Sequence, residues 1–497
     1  MSDSPYREFR NAWAEIADLN RLASLAHWDM QTYMPAGGTS ARGEMLSTLS
    51  GRIHTSLTEP RLIEVLETLY CRDLEEPRKS AVALALRECR RSLRIPASLV
   101  RERALAQSAG FEAWIRARDA NDFDLFLPAL KRVYEASRNV ALAIDPETHP
   151  LQTLLDERER GFTLQEVEGM FAELKATLIP MAQTLSAKTV DDSILRGHYP
   201  ISSQWELGME AARLVGFDLD GRGRQDRAVH PFTASMSPDD VRITTRFRED
   251  DLSAGFFATL HEAGHGIYEQ NIPVSIARTP LGAAPSGGIH ESQSRLWENI
   301  VGRSPEFWDH FFPRFAARFP EAAFATNRRS FVRAVNRVQP SLIRVEADEV
   351  TYNLHIAIRF ELESAIFKGD LALEDLPEAW NHLYMQYLGI MPPDPLRGVL
   401  QDVHWSSGIE ASFVGYTLGN IISAQLFRAA SQDAGVRGGF EGGYYTPLLD
   451  WMRQHVHRWG QQFDTKELVE RATGEPPNPA AFLEYLREKM SRLFADT

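Results

Sequence analysis

The residues with the clearest chemistry are His261-Glu262-Ala263-Gly264-His265, within an apolar-periodic stretch that starts near Ser253 and carries Phe256, Phe257, Leu260 and Ile267. On a helix, residues four apart share a face, so His261 and His265 can turn two imidazoles toward one ion while Glu262 stands alongside. A catalytic zinc takes about three protein ligands and leaves a position for water, which an adjacent carboxylate can deprotonate. The motif therefore asks for a third ligand. Past a turn at Gly287 and Gly288, a new helix reads IHESQSRLWENIV and stops at Gly302. Glu291 in its first turn would complete a two-histidine, one-carboxylate set, with Glu298 and His290 as competitors. Glu298 fits better as a salt-bridge partner of Arg295 or a support behind a ligand, and His290 as a support or a substrate-facing group.

Attack on an amide carbonyl also needs donors for the developing oxyanion. Beyond the MPPDP turn at 391–395, Gln401, Asp402, His404 and Trp405 fall close together, and Tyr416 follows. A neutral or protonated His404 and the Tyr416 phenol are the candidate donors. The spacing predicts another helix from Ser341 to Lys368. On it Ile343, Ala347, Val350, Leu354 and Ile358 make an apolar stripe, and Arg344, Asp348, His355 and Arg359 an ionisable stripe beside it. Glu346, Glu349 and Asn353 take the opposite, solvent-like face. Such a stripe reads as a cleft wall, or as an exposed ladder of Arg344 with Asp348.

These parts must be held by a scaffold, and its nature is legible in the chain. Residues 1 to about 215 form successive amphipathic helices. Between Arg61 and Arg94, for example, Leu62, Val65, Leu66, Leu69, Val82, Leu86 and Leu93 recur at helical spacing. Helix boundaries are expected at Pro35, Pro77, Pro96, the Asp145–Pro150 run and Pro180. The texture changes at Gly216. Two short strands, Ala228 to Thr233 and Val241 to Phe247, are expected in a small β region over 216–250, and helices resume from Leu252 through the catalytic part, 251–497. Without a Ser/Gly-rich linker or a repeat, the chain reads as one mainly α domain over 1–497 with a small β insertion.

Composition narrows the partners. With 54 Lys+Arg against 68 Asp+Glu, the net charge of -14 and scattered basic pairs disfavour nucleic acid. The two cysteines, Cys71 and Cys89, exclude a disulfide framework. The charged N-terminus has no apolar signal region, and the most apolar window, 411–430, is broken by Gly415, Gly419, Asn420 and Gln425, so no membrane span and a cytoplasmic location are expected.

Taken together, the motifs resemble the thermostable, Taq-type metallocarboxypeptidase family. Besides HEAGH, they are His230-Pro231-Phe232, the Asp240-Val-Arg242-Ile-Thr244 element, His290-Glu291-Ser292-Gln293, Ile343-Arg344 through Ala347-Asp348, and Gly398-Val-Leu-Gln401-Asp402-Val-His404-Trp405. The N-terminal WDMQTYMP at 28–35 is similar too. The resemblance implies one zinc per chain on His261, His265 and Glu291, with Glu262 as general base and acid. It also implies a two-lobed helical body around a deep groove, like neurolysin and angiotensin-converting enzyme, and a homodimer. The implied activity is removal of single residues from peptide C-termini with broad specificity, by attack of a water activated by zinc and Glu262. A groove-type oligoendopeptidase or dipeptidyl-releasing peptidase is the alternative, and a metal-stabilised protein without turnover is a third reading. An exopeptidase acting at C-termini needs a fixed cation for the free carboxylate, a task suited to the planar donors of Arg. Arg344 is the first candidate for it, followed by Arg397 and Arg242, with His230 a further substrate-side residue that could equally pack the small sheet.

Overall fold

The structure is a computed structural model that describes residues 4–322 and 327–495. Among them are 20 α-helices and three strands. None of these helices is long and apolar enough to cross a membrane.

The amphipathic pattern of the N-terminal part produces helices that pack in two groups. Ser4–Thr32, Thr39–Leu57, Pro60–Tyr70 and Arg78–Arg94 enclose a small core of their own around Phe9, Ile16, Leu66 and Leu86, which Leu281 joins from a later loop. Of the apolar positions expected between Arg61 and Arg94, all are buried except Leu93, which is 52% exposed. The remaining helices build a second, much larger core that runs from Ala113 to Phe494. Most expected boundaries fall where proline removes an amide donor. Pro180 is the correction: it lies inside the Leu164–Ser186 helix, whose face of Leu174, Leu178 and Ala182 stays buried across it. Continuous packing there outweighs the lost hydrogen bond.

Gly216, at φ +106°, ends the Ile201–Val215 helix in the left-handed conformation that glycine tolerates. The β region after it has three strands rather than two: β1 Gly223–Arg227, β2 Thr233–Ser237 and β3 Asp240–Thr245, in the order β1-β3-β2. Much of the expected first strand, Ala228 to Thr233, is instead the connection from β1 to β2, since β1 runs parallel to β3 and β2 must return antiparallel to it. Buried side-chain hydrogen bonds fix this sheet on the Leu252–Asn271 helix: Gln225 Nε2 donates to Thr245 Oγ1 at 3.1 Å and to Thr259 Oγ1 at 3.3 Å. The sheet is thereby held with β2 alongside the HEAGH sequence.

Candidate metal centre

Asp251 starts the HEAGH helix by accepting from the amides of Ser253 and Ala254, and Ser286 starts the Gly287–Arg295 helix by accepting from the Ile289 amide. The two helices touch at Gly264, where a Cβ would lie 2.5 Å from the Gln293 carbonyl oxygen and 2.6 Å from Ser294 Cα. The Phe413–Ala430 helix closes on the second helix in the same way, through Gly419, whose added Cβ would lie 2.4 Å from Glu291 Cγ. Small residues at both crossings let three backbones converge on Glu291. Gly264→Ala is expected to lower stability by about 1–3 kcal/mol through overpacking and to weaken metal retention by prising Glu291 from the histidines. Thermal unfolding with and without added zinc measures both effects.

His261, His265 and Glu291 offer donor atoms that all lie within 4.8 Å of one another. Glu291 Oε2 is 3.3 Å from His265 Nε2 and 3.6 Å from His261 Nε2. A tetrahedral zinc with ligands at 2.0–2.1 Å holds neighbouring donors about 3.3–3.4 Å apart, so the set fits such an ion. The outer ring nitrogens are already engaged. His261 Nδ1 lies 2.9 Å from Glu298 Oε2, while His265 Nδ1 lies 2.5 Å from His290 Nδ1, whose Nε2 is 2.9 Å from Glu269 Oε1. Such partners fix each imidazole with Nε2 toward Glu291 Oε2, where an ion would be held. Glu298 reaches His261 from a π-helical turn, Leu296–Val301, that widens the end of its helix. It also accepts from Arg295 and Arg303, so both supporting roles expected of it coexist. Burial pushes the Glu291 carboxyl up, but Arg295, which donates to its Oε1 at 2.7 Å, and the two histidines outweigh this and hold it well below the usual carboxylate range. Burial depresses His265 to about 4, so its ring is neutral and able to ligate.

Glu262 is 5% exposed and accepts from the Thr233 hydroxyl on β2 at 2.7 Å. Burial raises its pKa, which improves it as a proton acceptor. Sequence reasoning misses Thr233 because the contact crosses from sheet to helix. It also misses Glu269, although a spacing of four from His265 is a usable signal.

The helix expected from Ser341 to Lys368 begins only at Tyr352. Asp348 interrupts it by accepting from the Val350 and Thr351 amides and the Thr351 hydroxyl, and Arg344 sits before this turn in a short 3-10 segment. Arg344 and Asp348 therefore form no ladder. Asn353 is 1% exposed and Glu349 pairs with Lys489, so neither takes the expected solvent face. The two arginines of the stripe nevertheless converge, on Asp402: Arg344 Nε donates to Oδ1 at 3.0 Å and Arg359 Nε to Oδ2 at 2.6 Å. Arg344 Nη1 also donates to the Tyr352 hydroxyl at 3.2 Å, and Arg295 lies over the Tyr352 ring. One chain of contacts thus runs from Glu291 through Arg295 and Tyr352 to Arg344.

His404 and Tyr416 meet, with His404 Nε2 3.1 Å from the phenol oxygen. Burial, aided by the charge of Arg344, pushes His404 down to about 3, so the imidazole is neutral. Tyr416 lies one turn before Gly419, on the side of its helix that faces Glu291. The other candidate cations lie elsewhere. Arg242 is engaged by Asp240 and stacks on Trp28, Arg397 is exposed and paired with Asp394, and His230 is exposed on the connection from β1 to β2.

Helical proteins that turn two imidazoles and a carboxylate toward one point, beside a proton-accepting glutamate, are metallopeptidases of the HExxH class, and comparison with known proteins narrows the class. The chain belongs to the carboxypeptidase Taq (M32) metallopeptidase family, whose profile matches residues 8–490, and is a metallocarboxypeptidase, a hydrolase of peptide bonds. It is 42% identical to the thermostable carboxypeptidase 1 of Thermus thermophilus, over 99% of each chain. It superposes on the M32 carboxypeptidase of Deinococcus radiodurans with a TM-score of 0.96, at 39% identity, over 99% of this chain and 100% of that one. The Pyrococcus furiosus carboxypeptidase in an apo-Mg form gives a TM-score of 0.95 at 31% identity, over 98% and 99% of the two chains.

Proposed function

We propose that the protein is a zinc carboxypeptidase that releases single residues from peptide C-termini with broad specificity, the whole chain serving as one catalytic unit. The observation that carries the reading is the fit of His261, His265 and Glu291 to one ion with Glu262 beside them. His261, His265 and Glu291 would hold a zinc ion, which when bound would supply Lewis acidity for the carbonyl and make water easier to deprotonate. Glu262 takes a proton from water during attack and passes it to the departing amine, with Thr233 holding the carboxylate in place. Tyr416 donates a hydrogen bond to the oxyanion, and His404, whose Nε2 lies 3.1 Å from the phenol oxygen, donates to that oxygen and orients it. Arg344, oriented by Asp402 and Tyr352, binds the free carboxylate of the leaving residue. The reading includes a cytoplasmic location and a homodimer, the latter supported by the family resemblance.

The deciding experiment compares an N-blocked dipeptide with its C-terminal amide, with and without chelator. The free acid is expected to be cleaved at least about 10²-fold faster, because the amide lacks the charge that Arg344 pairs with. Chelator is expected to stop turnover and added zinc to restore it. Equal cleavage of acid and amide would remove the exopeptidase reading.

A further inference from the structure

His261, His265 and Glu269 stand at i, i+4 and i+8 on one face of the HEAGH helix. At 1.5 Å per residue, Glu269 lies about 6 Å beyond His265 along the axis. The side chains of His261, His265, His290 and Glu269 are 20, 16, 26 and 18% exposed, so solvent reaches a continuous row of them. Beyond Glu269 this row opens into a cavity of about 320 Å3, also lined by Asn20, Arg21, Ser235, Ser237 and Gln461. The N-terminal helix, β2 and the loop after the HEAGH helix all contribute to its wall.

Two features give the cavity a charge pattern. Glu269 is ionised: burial pushes its carboxyl up, but the His290 hydrogen bond and charge outweigh this and hold it low. A carboxylate has about four acceptor positions, and the contacts from His290 and Ser235 leave room for another donor. Arg21 lines the same space with its guanidinium already steered, Nη2 donating to the Ala277 carbonyl at 2.6 Å and Nη1 lying 3.6 Å from Asp18. The cavity therefore holds a carboxylate with spare acceptor capacity and, close enough to feel its charge, the held guanidinium of Arg21.

The placement relative to the metal centre gives this pattern a direction. From His261 the contacts lead through Glu298, Arg295 and Tyr352 to Arg344. From His265 they lead the other way, through His290 to Glu269. On the reading in which Arg344 holds the C-terminal carboxylate, the amino-terminal part of a bound peptide extends toward Glu269.

We propose that this cavity is a subsite for the free α-amino group of short peptides. The ammonium docks on Glu269, and Arg21 donates to the carbonyl of the first peptide bond. An extended chain spans about 3.3–3.6 Å per residue, so tri- and tetrapeptides have the length to reach Glu269 from the metal centre. Blocked peptides remain substrates but forgo this contact.

The test is the ratio of kcat/KM for free and N-acetylated peptides of two to six residues. The ratio is expected to peak at about 10 for three or four residues, to fall toward one for two and six, and to decline as pH rises through about 8, where the α-amino group loses its proton. In Glu269→Gln the ratio is expected to fall to about one at every length. The amide oxygen introduced there can still accept from His290, and the acetylated peptide's own rate registers any damage passed on to His265. Arg21→Gln is expected to lower the peak without moving it. A wild-type ratio near one at all lengths, or a peak that persists in Glu269→Gln, would overturn the subsite. If Glu269→Gln does not fold, the wild-type length and pH series decide. Failure to cleave either form would instead overturn the carboxypeptidase reading on which the subsite rests.

Discussion

Glu262→Gln is expected to lower kcat by about 10²–10⁴-fold while the protein still binds about one zinc per chain. The side chain belongs to no core that the substitution would disturb. Its charged neighbours are the candidate ligands, and its direct partner is the Thr233 hydroxyl, which can donate to an amide oxygen as readily as to a carboxylate. What the substitution removes is proton-accepting capacity at a position where burial has raised it. Elemental analysis of metal, thermal unfolding and single-turnover kinetics separate the kinds of loss. Near wild-type turnover in Glu262→Gln would take Glu262 out of the chemistry, and loss of zinc from the same variant would show that the charge serves the metal instead.

Substitution of Arg344 is expected to give the next largest loss, with a different signature. Arg344 is 7% exposed and shares Asp402 with Arg359. Arg344→Ala leaves Asp402 with Arg359 as its remaining arginine, so the lost charged hydrogen bonds are expected to cost about 1.5–3 kcal/mol of stability as well as activity. Arg344→Lys keeps the charge but loses the planar pair of donors, so it separates the two effects. With it, kcat/KM for free-acid dipeptides is expected to fall about 10²-fold or more, while the slow cleavage of the amide hardly changes. Arg242→Ala and Arg397→Ala serve as comparisons. Each arginine is engaged by a nearby aspartate away from the Glu291–Arg344 chain, so activity is expected to change less than about threefold. Loss with either of them and not with Arg344 would reassign the anchor.

Much of this arrangement can be read along the chain, for a definite physical reason. The HEAGH spacing and the Gly287-Gly288 turn that opens the Glu291 helix are local: helix periodicity and turn residues convert each directly into a face or a boundary. The family motifs follow the same logic, since each is a short run whose spacing one element fixes. The mainly helical body and the small β region are legible because amphipathic period and turn residues are also local signals. The failures share a cause. The Arg344 stripe reads as one helix because its period is right, yet the Asp348 side chain captures the amides that a continuous helix would use. Pro180 marks a helix end by its own chemistry, and packing along Leu174, Leu178 and Ala182 carries the helix through it.

The sequence alone determined the donor types, their helical faces and the family to which they belong. Tertiary structure decided what each donor meets: Glu298 behind His261, His290 and Glu269 behind His265, Thr233 on Glu262, and Asp402 between Arg344 and Arg359. These contacts join residues up to 58 positions apart, through helix crossings and a sheet whose third strand is not legible in the chain. Periodicity records how a residue faces within its own element. Which element lies opposite depends on the packing of the whole core, and no local pattern carries that information.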